Sequence, residues 1–298
     1  MKVCITGASG TLGTEVLSQL RRAEYDVYGL TRNEHNLKKM ESFCTPVLGD
    51  IRDLDKMIEF CDGADLIYHF AALKHVDIME ENPEECIKTN LQGTRNILKA
   101  QKICSVPRLV FTSTDKAVYP INAYGLCKAM SEKLVLSDPM NVVCRYGNVI
   151  GSNGSIFHRL PEILRKTNTI SITDRDMTRF WIKIKDAASF VIAMGNGTRT
   201  GVCIPEMKAA KVITMLKMCA ELHGFNSYKI KDIGLRPGEK IHEDLKSNLS
   251  SYTCEKFTAP EMGDLLNEIS DIRMPGEYGA EIHCDSGLYE AQPYGNRH

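Results

Sequence analysis

The stretch "KVCITGASGTLGTEVLSQL" at residues 2–20 constrains the fold more than any other. An apolar run from Lys2 to Thr6 passes through three glycines, spaced G-x-x-G-x-x-G, into a helical period running from Leu12 to Ala23. Gly7 permits a tight turn, Gly10 lets the backbone approach a diphosphate, and Gly13 lets the helix pack closely on the strand. The helix N-terminus then meets the ligand's negative charge. Glycine triplets are common in loops, but a strand before and a helix after point this one to dinucleotide binding.

The same alternation continues. Asp26–Leu30, Thr45–Leu48, Leu66–Phe70, Leu109–Thr112 and Val142–Tyr146 read as buried strands, and Leu54–Phe60, Glu84–Ile103 and Ala123–Leu136 have helical periodicity. This predicts an α/β fold, a Rossmann-type doubly wound parallel sheet with helices on both faces. After residue 150 the pattern loosens, with helical pieces at Phe157–Lys166, Lys185–Met194 and Lys211–His223 and fewer strands. The expected organisation is a cofactor domain over 1–150 and a smaller, mainly substrate-binding lobe over 151–298, with 183–200 packing back on the first domain.

A chain of 298 residues suits one and a half or two domains. Its net charge of −1 argues against a nucleic-acid or membrane-surface partner. No apolar stretch approaches the ~20 residues of a membrane span. The strand pattern starts at the N-terminus, leaving no room for a signal peptide. The eleven cysteines lie scattered without a C-x-x-C pair, which fits buried thiols in a reducing cytoplasm and predicts no metal site.

The second strand ends in Thr31-Arg32-Asn33. An acidic residue there would bind a free ribose 2′-hydroxyl, whereas Arg32 and Thr31 suit a 2′-phosphate, so NADP is expected. The alternative is a solvated Arg32. Asp50-Ile51, after the third strand, is placed to meet the adenine.

"TSTDKAVYPINAYGLCK", residues 112–128, follows the apolar run Leu109-Val110-Phe111 and gathers Thr114, Asp115, Lys116, Tyr124 and Lys128. Tyr124 and Lys128 share a helical face one turn apart, and a nearby ammonium favours a phenolate. Such a pair by itself is more often a surface contact than a catalytic one. An exposed Asp115–Lys116 ion pair would be worth little, but ligands bind at strand ends in such sheets.

These stretches, with "HFAALKHVDIMEENPEECIKTNLQGT", "CRYGNVIGSNGS", "ITDRDMTRFW" and "LRPGEKIHEDL", resemble the extended short-chain dehydrogenase/reductase family over roughly residues 1–245. They are most similar to its C5-inverting UDP-N-acetylglucosamine 4,6-dehydratases. Retaining dehydratases of other sugar nucleotides carry an acid where Lys116 stands.

The resemblance implies a polysaccharide-biosynthesis enzyme with tightly bound NADP that is regenerated each turnover. Tyr124, helped by Lys128, takes the proton of the sugar 4-hydroxyl. A neutral Lys116 removes the C5 proton, a protonated Asp115 donates to the 6-hydroxyl, and Thr114 belongs to the same catalytic group. Gly7, Ser9, Gly10, Thr11, Leu12, Gly13, Thr31, Arg32, Asn33, Asp50, Ile51, Ala71, Ala72, Lys74, Tyr124 and Lys128 are expected at the cofactor. Lys74, Glu80, Asn148, Thr173, Arg179, Arg236 and Glu239 are expected at the UDP-sugar. Asn148 and Thr173 also read as loop residues, and Arg179 as a partner stacked on Phe180-Trp181. His69 reads as a satisfied core residue, and His75 as a pocket border. The family also implies a homo-oligomer, hexamer or dimer. A UDP-sugar 4-epimerase, a C5-retaining dehydratase and a non-catalytic NADP-sensing protein remain alternatives. The tail from residue 246 carries no catalytic motif and is a candidate nucleotide cover or subunit contact.

Overall fold

A computed structural model describes residues 1–21, 25–152 and 154–271, with side chains to 267. Six strands follow one another through the first half: β1 Lys2–Thr6, β2 Asp26–Thr31, β3 Thr45–Leu48, β4 Leu66–His69, β5 Leu109–Thr114 and β6 Val142–Tyr146. They pair in parallel, and Gly201–Cys203, a strand the sequence pattern missed, adds itself to β6. The sheet order places β4 and β2 on either side of β1. The chain therefore reverses its winding between β1 and β4, and ligands bind at the carboxyl ends of strands at such a point.

Both faces of the sheet are buried, which is why its strands read as continuous apolar runs. Val3, Ile5, Val110 and Val142 pack on one face with Val16, Leu17, Ala187 and Val191, from helices α1 (Thr11–Leu20) and Ile184–Asn196. Cys4, Ile67, Leu109 and Phe111 pack on the other with Met57, Ile97 and Val135. These three come from α3 (Leu54–Cys61), α6 (Gly93–Ile103) and α7 (Ala123–Val135); the short helices α2 (His35–Met40), α4 (Val76–Glu81) and α5 (Pro83–Cys86) supply none of them. A π-helical stretch, Ile87–Gln92, joins α5 to α6, so Glu84–Ile103, which reads as one helix, changes pitch midway.

Helix Ile184–Asn196 lies against α1, with Gln19 Nε2 donating to the Lys185 carbonyl (3.1 Å) and Ser189 to Gln19 (3.0 Å). The second lobe has its own core of Phe157, Leu160, Ile170, Trp181, Ile213, Leu216 and Leu265. The expectation of fewer strands there is corrected: eight short strands follow residue 147 among the described residues. They are two to five residues long, and all but Gly201–Cys203 sit in small sheets, so no apolar run marks them. Of the tail from residue 246, expected as a nucleotide cover or subunit contact, the described part includes helix Ala259–Asp271, whose Met262, Leu265 and Leu266 pack in this lobe's core, and the part beyond 271 lies outside the described residues.

Candidate active site

Two cavities open on the glycine loop. One, of about 390 Å³, is lined by Gly7, Ser9, Gly10, Thr31, Arg32, Asn33, Asp50, Ile51, Ala71 and Ala72. The other, of about 600 Å³, is lined by Gly7, Gly10, Thr11, Leu12, Gly13, Lys74, Thr114, Lys116, Tyr124, Lys128 and Asn148, among others. All sixteen residues expected at the cofactor therefore line one continuous cleft. Gly7 has φ +68°, and a Cβ there would come within 2.7 Å of the Ala71 backbone nitrogen. Only glycine closes the β1 turn against the end of β4 in this way. The cradle ends at the N-terminus of α1, as a diphosphate requires. At the far end Ser9 and Thr31 hydroxyls meet at 3.0 Å, and the exposed Arg32 borders the smaller cavity.

Tyr124 and Lys128 are delivered by α7. Asn122 caps this helix, its Oδ1 accepting from the Gly125 amide at 2.7 Å. Gly125 is required by packing, since a Cβ would fall 2.2 Å from the Lys116 carbonyl oxygen. The helix thereby presses onto the 3₁₀ turn Asp115–Ala117 that ends β5. Lys128 is 4% exposed, donates to the Thr112 carbonyl at 2.7 Å and sits 4.2 Å from the centre of the Phe111 ring. Burial pulls its pKa down to about 8.

The Tyr124 phenol hydrogen-bonds Thr114, but burial foremost, and then the Asp115 charge, push its pKa well above the usual tyrosine value. This corrects the expectation of a phenol lowered by Lys128. Desolvation and the Asp115 charge set the direction.

Asp115 also differs from expectation. It is fully buried and does not line the cavity. Its Oδ1 accepts from Thr114 Oγ1 (2.9 Å) and Lys116 Nζ (3.0 Å), while Oδ2 has no hydrogen-bond partner. Its hydrogen-bond partners Thr114 and Lys116 line the cavity in its place.

Lys116 reaches the cavity with its side chain 18% exposed, and its ammonium also lies 3.4 Å from Glu243 Oε1. Desolvation is the largest influence and works against its charge, yet Asp115 and then Glu243 outweigh it and raise the pKa. Two carboxylates sharing the Lys116 amine thus favour its charged form.

Of the residues expected at the sugar nucleotide, Lys74 and Asn148 line the larger cavity. Lys74 has its pKa lowered by desolvation, and Asn148 Oδ1 lies 3.5 Å from Lys116 Nζ. The other five do not line it. Glu80 accepts a short hydrogen bond from the Ala123 amide at the start of α7. Thr173 donates to the Met177 sulfur at 3.7 Å. Arg179, 5% exposed, donates to the carbonyls of Thr178, Ile241 and Lys240 at 2.7, 3.0 and 2.8 Å, and so ties a loop instead of stacking or binding an anion. Arg236 is exposed and pairs through its backbone with Glu239, in a loop anchored where Asn122 Nδ2 donates to the Gly238 carbonyl at 2.8 Å.

Sequence reasoning missed Glu243 and Lys240. Both lie inside "LRPGEKIHEDL", but only its first half was assigned. Trp181 and Ser113 also border the cavity, each with a buried polar atom lacking a hydrogen-bond partner in the protein.

His69 is a core residue. Thr94 Oγ1 gives its proton to the Asn90 carbonyl (2.7 Å), so it accepts from His69 Nε2 (3.1 Å), while Nδ1 accepts from Thr6 Oγ1 (2.7 Å). Burial first, then Lys128, lowers its pKa from 6.5 to about 3. Below the unfolded value the unfolded chain binds a proton that the folded chain refuses. Stability therefore falls as pH drops from 6.5 towards 3, by about 1.4 kcal/mol per pH unit from this group. Melting temperatures recorded between these limits should decline less steeply for His69→Gln than for the wild type; equal slopes would contradict this.

Comparison with known proteins agrees with this arrangement. A family model described as polysaccharide biosynthesis protein matches residues 3–261. A UDP-N-acetylglucosamine 4,6-dehydratase (inverting) of Campylobacter jejuni is 32% identical, covering 94% of this chain and 89% of that protein. A UDP-glucose 4-epimerase of Rickettsia bellii is 34% identical, covering 82% of this chain and 77% of that one. The crystal structure of Pen from Bacillus thuringiensis superposes with a TM-score of 0.83 at 27% identity, covering 91% and 97% of the two chains.

Proposed function

We propose a reaction for a chain that belongs to the polysaccharide biosynthesis protein family and is an extended short-chain dehydrogenase/reductase resembling the nucleotide-sugar dehydratases: dehydration of UDP-N-acetylglucosamine across C5 and C6 with inversion at C5. The observation that carries this reading is Lys116, a cavity-lining amine linked to a buried carboxylate and set beside Tyr124. A 4-epimerase needs no group at C5, and some relatives carry that name. The Asp115–Lys116 pair favours elimination.

A bound nicotinamide, taken as NADP, would bring a positive ring that favours the phenolate, accept hydride from C4 and return it to C6. Tyr124 receives the proton of the 4-hydroxyl. The 4-ketone makes the C5 proton acidic, and Lys116, once it has shed its own proton within the site, removes it. The proton for the departing 6-hydroxyl comes from the Asp115–Lys116 unit, relayed to the cavity through Thr114 or Lys116, since Asp115 itself is enclosed. Lys116 gains one proton and the unit gives one up, so its proton count is unchanged by the elimination; as hydride reaches C6, C5 takes a solvent-derived proton on the face opposite Lys116, and Tyr124 releases its proton to solvent, which completes the turnover. Asn148 and Lys74 are the cavity groups available to the diphosphate and sugar.

The test is incubation of the purified protein with UDP-N-acetylglucosamine in deuterated water, without added cofactor, followed by NMR. The expected product is a 4-keto-6-deoxy sugar of the L-arabino configuration with solvent deuterium at C5. A C4 epimer that keeps its 6-hydroxyl, or a retained C5, would refute the assignment.

The cofactor preference rests on Arg32 at the mouth of the smaller cavity. Loss of a charge-assisted contact of about 1.5–3 kcal/mol means that Arg32→Ala should weaken NADP binding by roughly 10–100-fold and leave NAD nearly unchanged. Titration calorimetry with both cofactors measures this; a wild-type preference for NAD that survives the substitution would remove the 2′-phosphate site.

The homo-oligomer expected of this family has a candidate surface in Leu126 and Met130, exposed one turn apart on α7. Among the described residues no helix is long and apolar enough to cross a membrane.

A further inference from the structure

Glu243 is the residue least accounted for by its surroundings. It is 2% exposed, comes from a segment remote in sequence, and places Oε1 3.4 Å from Lys116 Nζ. Its Oε2 has no hydrogen-bond partner and lies 3.6 Å from Lys240 Nζ, which itself donates to the Val118 carbonyl at 2.6 Å. A buried carboxylate is costly unless paired, and this one is paired chiefly with an amine already claimed by Asp115.

The fold invests several contacts in placing it. Arg179 holds the carbonyls of Lys240 and Ile241 just before it. The Glu243 amide donates to Ser251 Oγ at 2.9 Å, and Arg145 donates to the Leu245 carbonyl just after it at 2.8 Å. Each anchor comes from a different element, so Glu243 is fixed against Lys116 from both sides along the chain.

We propose that Glu243 is a positioning residue of the proton-transfer unit: it holds the Lys116 amine between two carboxylates, and its charge sets the pH range over which that amine takes and releases a proton. This deepens the reading of Lys116 as the base at C5 and rests on it. The charged and titratable groups facing the unit are Asp115 on the 3₁₀ turn, Tyr124 on α7, Arg179, and Lys240 on the Glu243 segment.

The sign of the effect follows from charge. A negative charge beside an ionisable unit holds its protons to higher pH, and removing that charge lets them go at lower pH. Glu243→Gln keeps the shape and deletes the charge. Both limbs of its kcat–pH profile should move to lower pH by roughly one unit. Glu243→Asp should restore the limbs towards their wild-type positions, and Lys240→Gln, which removes the facing positive charge, should move them to higher pH. A packing role would lower activity or stability and leave the limbs in place.

The experiment is the kcat–pH profile of the wild type and these three variants, with the product identified by NMR. Limbs that stay fixed in Glu243→Gln overturn the inference whether or not kcat falls, as does a Glu243→Asp profile matching that of Glu243→Gln. Should Glu243→Gln fail to fold, Lys240→Gln decides by the same criterion with opposite sign. Wild-type product that is not dehydrated refutes the reaction instead, so the two readings fail by different measurements.

Discussion

Lys116→Arg should leave the protein folded and lower dehydration by about 10²–10⁴-fold, the range supplied by a positioned acid or base. Arginine keeps the positive charge that Asp115 and Glu243 share at 3.0 and 3.4 Å, but a guanidinium cannot become a neutral base in a protein. Lys116→Met tests the other half of its role. It strands two carboxylates, at 0% and 2% exposure, and should cost on the order of 3–5 kcal/mol of stability before any effect on rate is considered. The pair of variants separates charge from chemistry. Product formation by NMR and denaturant unfolding are the measurements, and a Lys116→Arg enzyme that still places solvent deuterium at C5 at the wild-type rate would rule Lys116 out as the base.

Tyr124→Phe should be equally severe, a loss of about 10²–10⁴-fold, but should stop the reaction one step earlier. The near-ultraviolet absorbance that marks C4 oxidation should fail to rise on adding substrate, whereas Lys116→Arg should show it. Stability should change little, because the phenol's hydrogen-bond partner, Thr114, retains its bond to Asp115. The raised tyrosine pKa adds a pH expectation. A phenol held protonated by desolvation ionises more readily as pH rises, so C4 oxidation should accelerate with pH on the acidic side of the optimum. A rate of oxidation independent of pH there would show that the phenol does not lose its proton in that step.

The first domain was legible because its signals are local. Each central strand is buried on both faces and reads as an apolar run, and each covering helix shows its stripe. The misses have equally local causes. Gly201–Cys203 is a three-residue edge strand with half-exposed side chains, and His35–Met40 buries only Met40, so neither leaves a pattern. In the second lobe the short strands pair in twos and threes and bury few side chains per element.

The site divides in the same way. Chain geometry alone sets a glycine loop between strand and helix, and a tyrosine and lysine four residues apart on one helical face. These were readable from residues 7–13 and 124–128. Arg179 shows the opposite case: an arginine beside aromatics in sequence spends its guanidinium on the carbonyls of residues 240 and 241, a partner choice made by the fold.

The sequence by itself determined the fold class, the cofactor cleft and which ionisable groups gather at the end of β5. Only the tertiary structure decided what each of those groups faces. The Asp115 carboxylate is sealed from the cavity, the Tyr124 phenol is held up by burial, and Lys116 is kept charged by Glu243 as well as Asp115. The physical reason is that a pKa depends on desolvation and on charges within a few ångströms, and those neighbours arrive from segments far away in the chain.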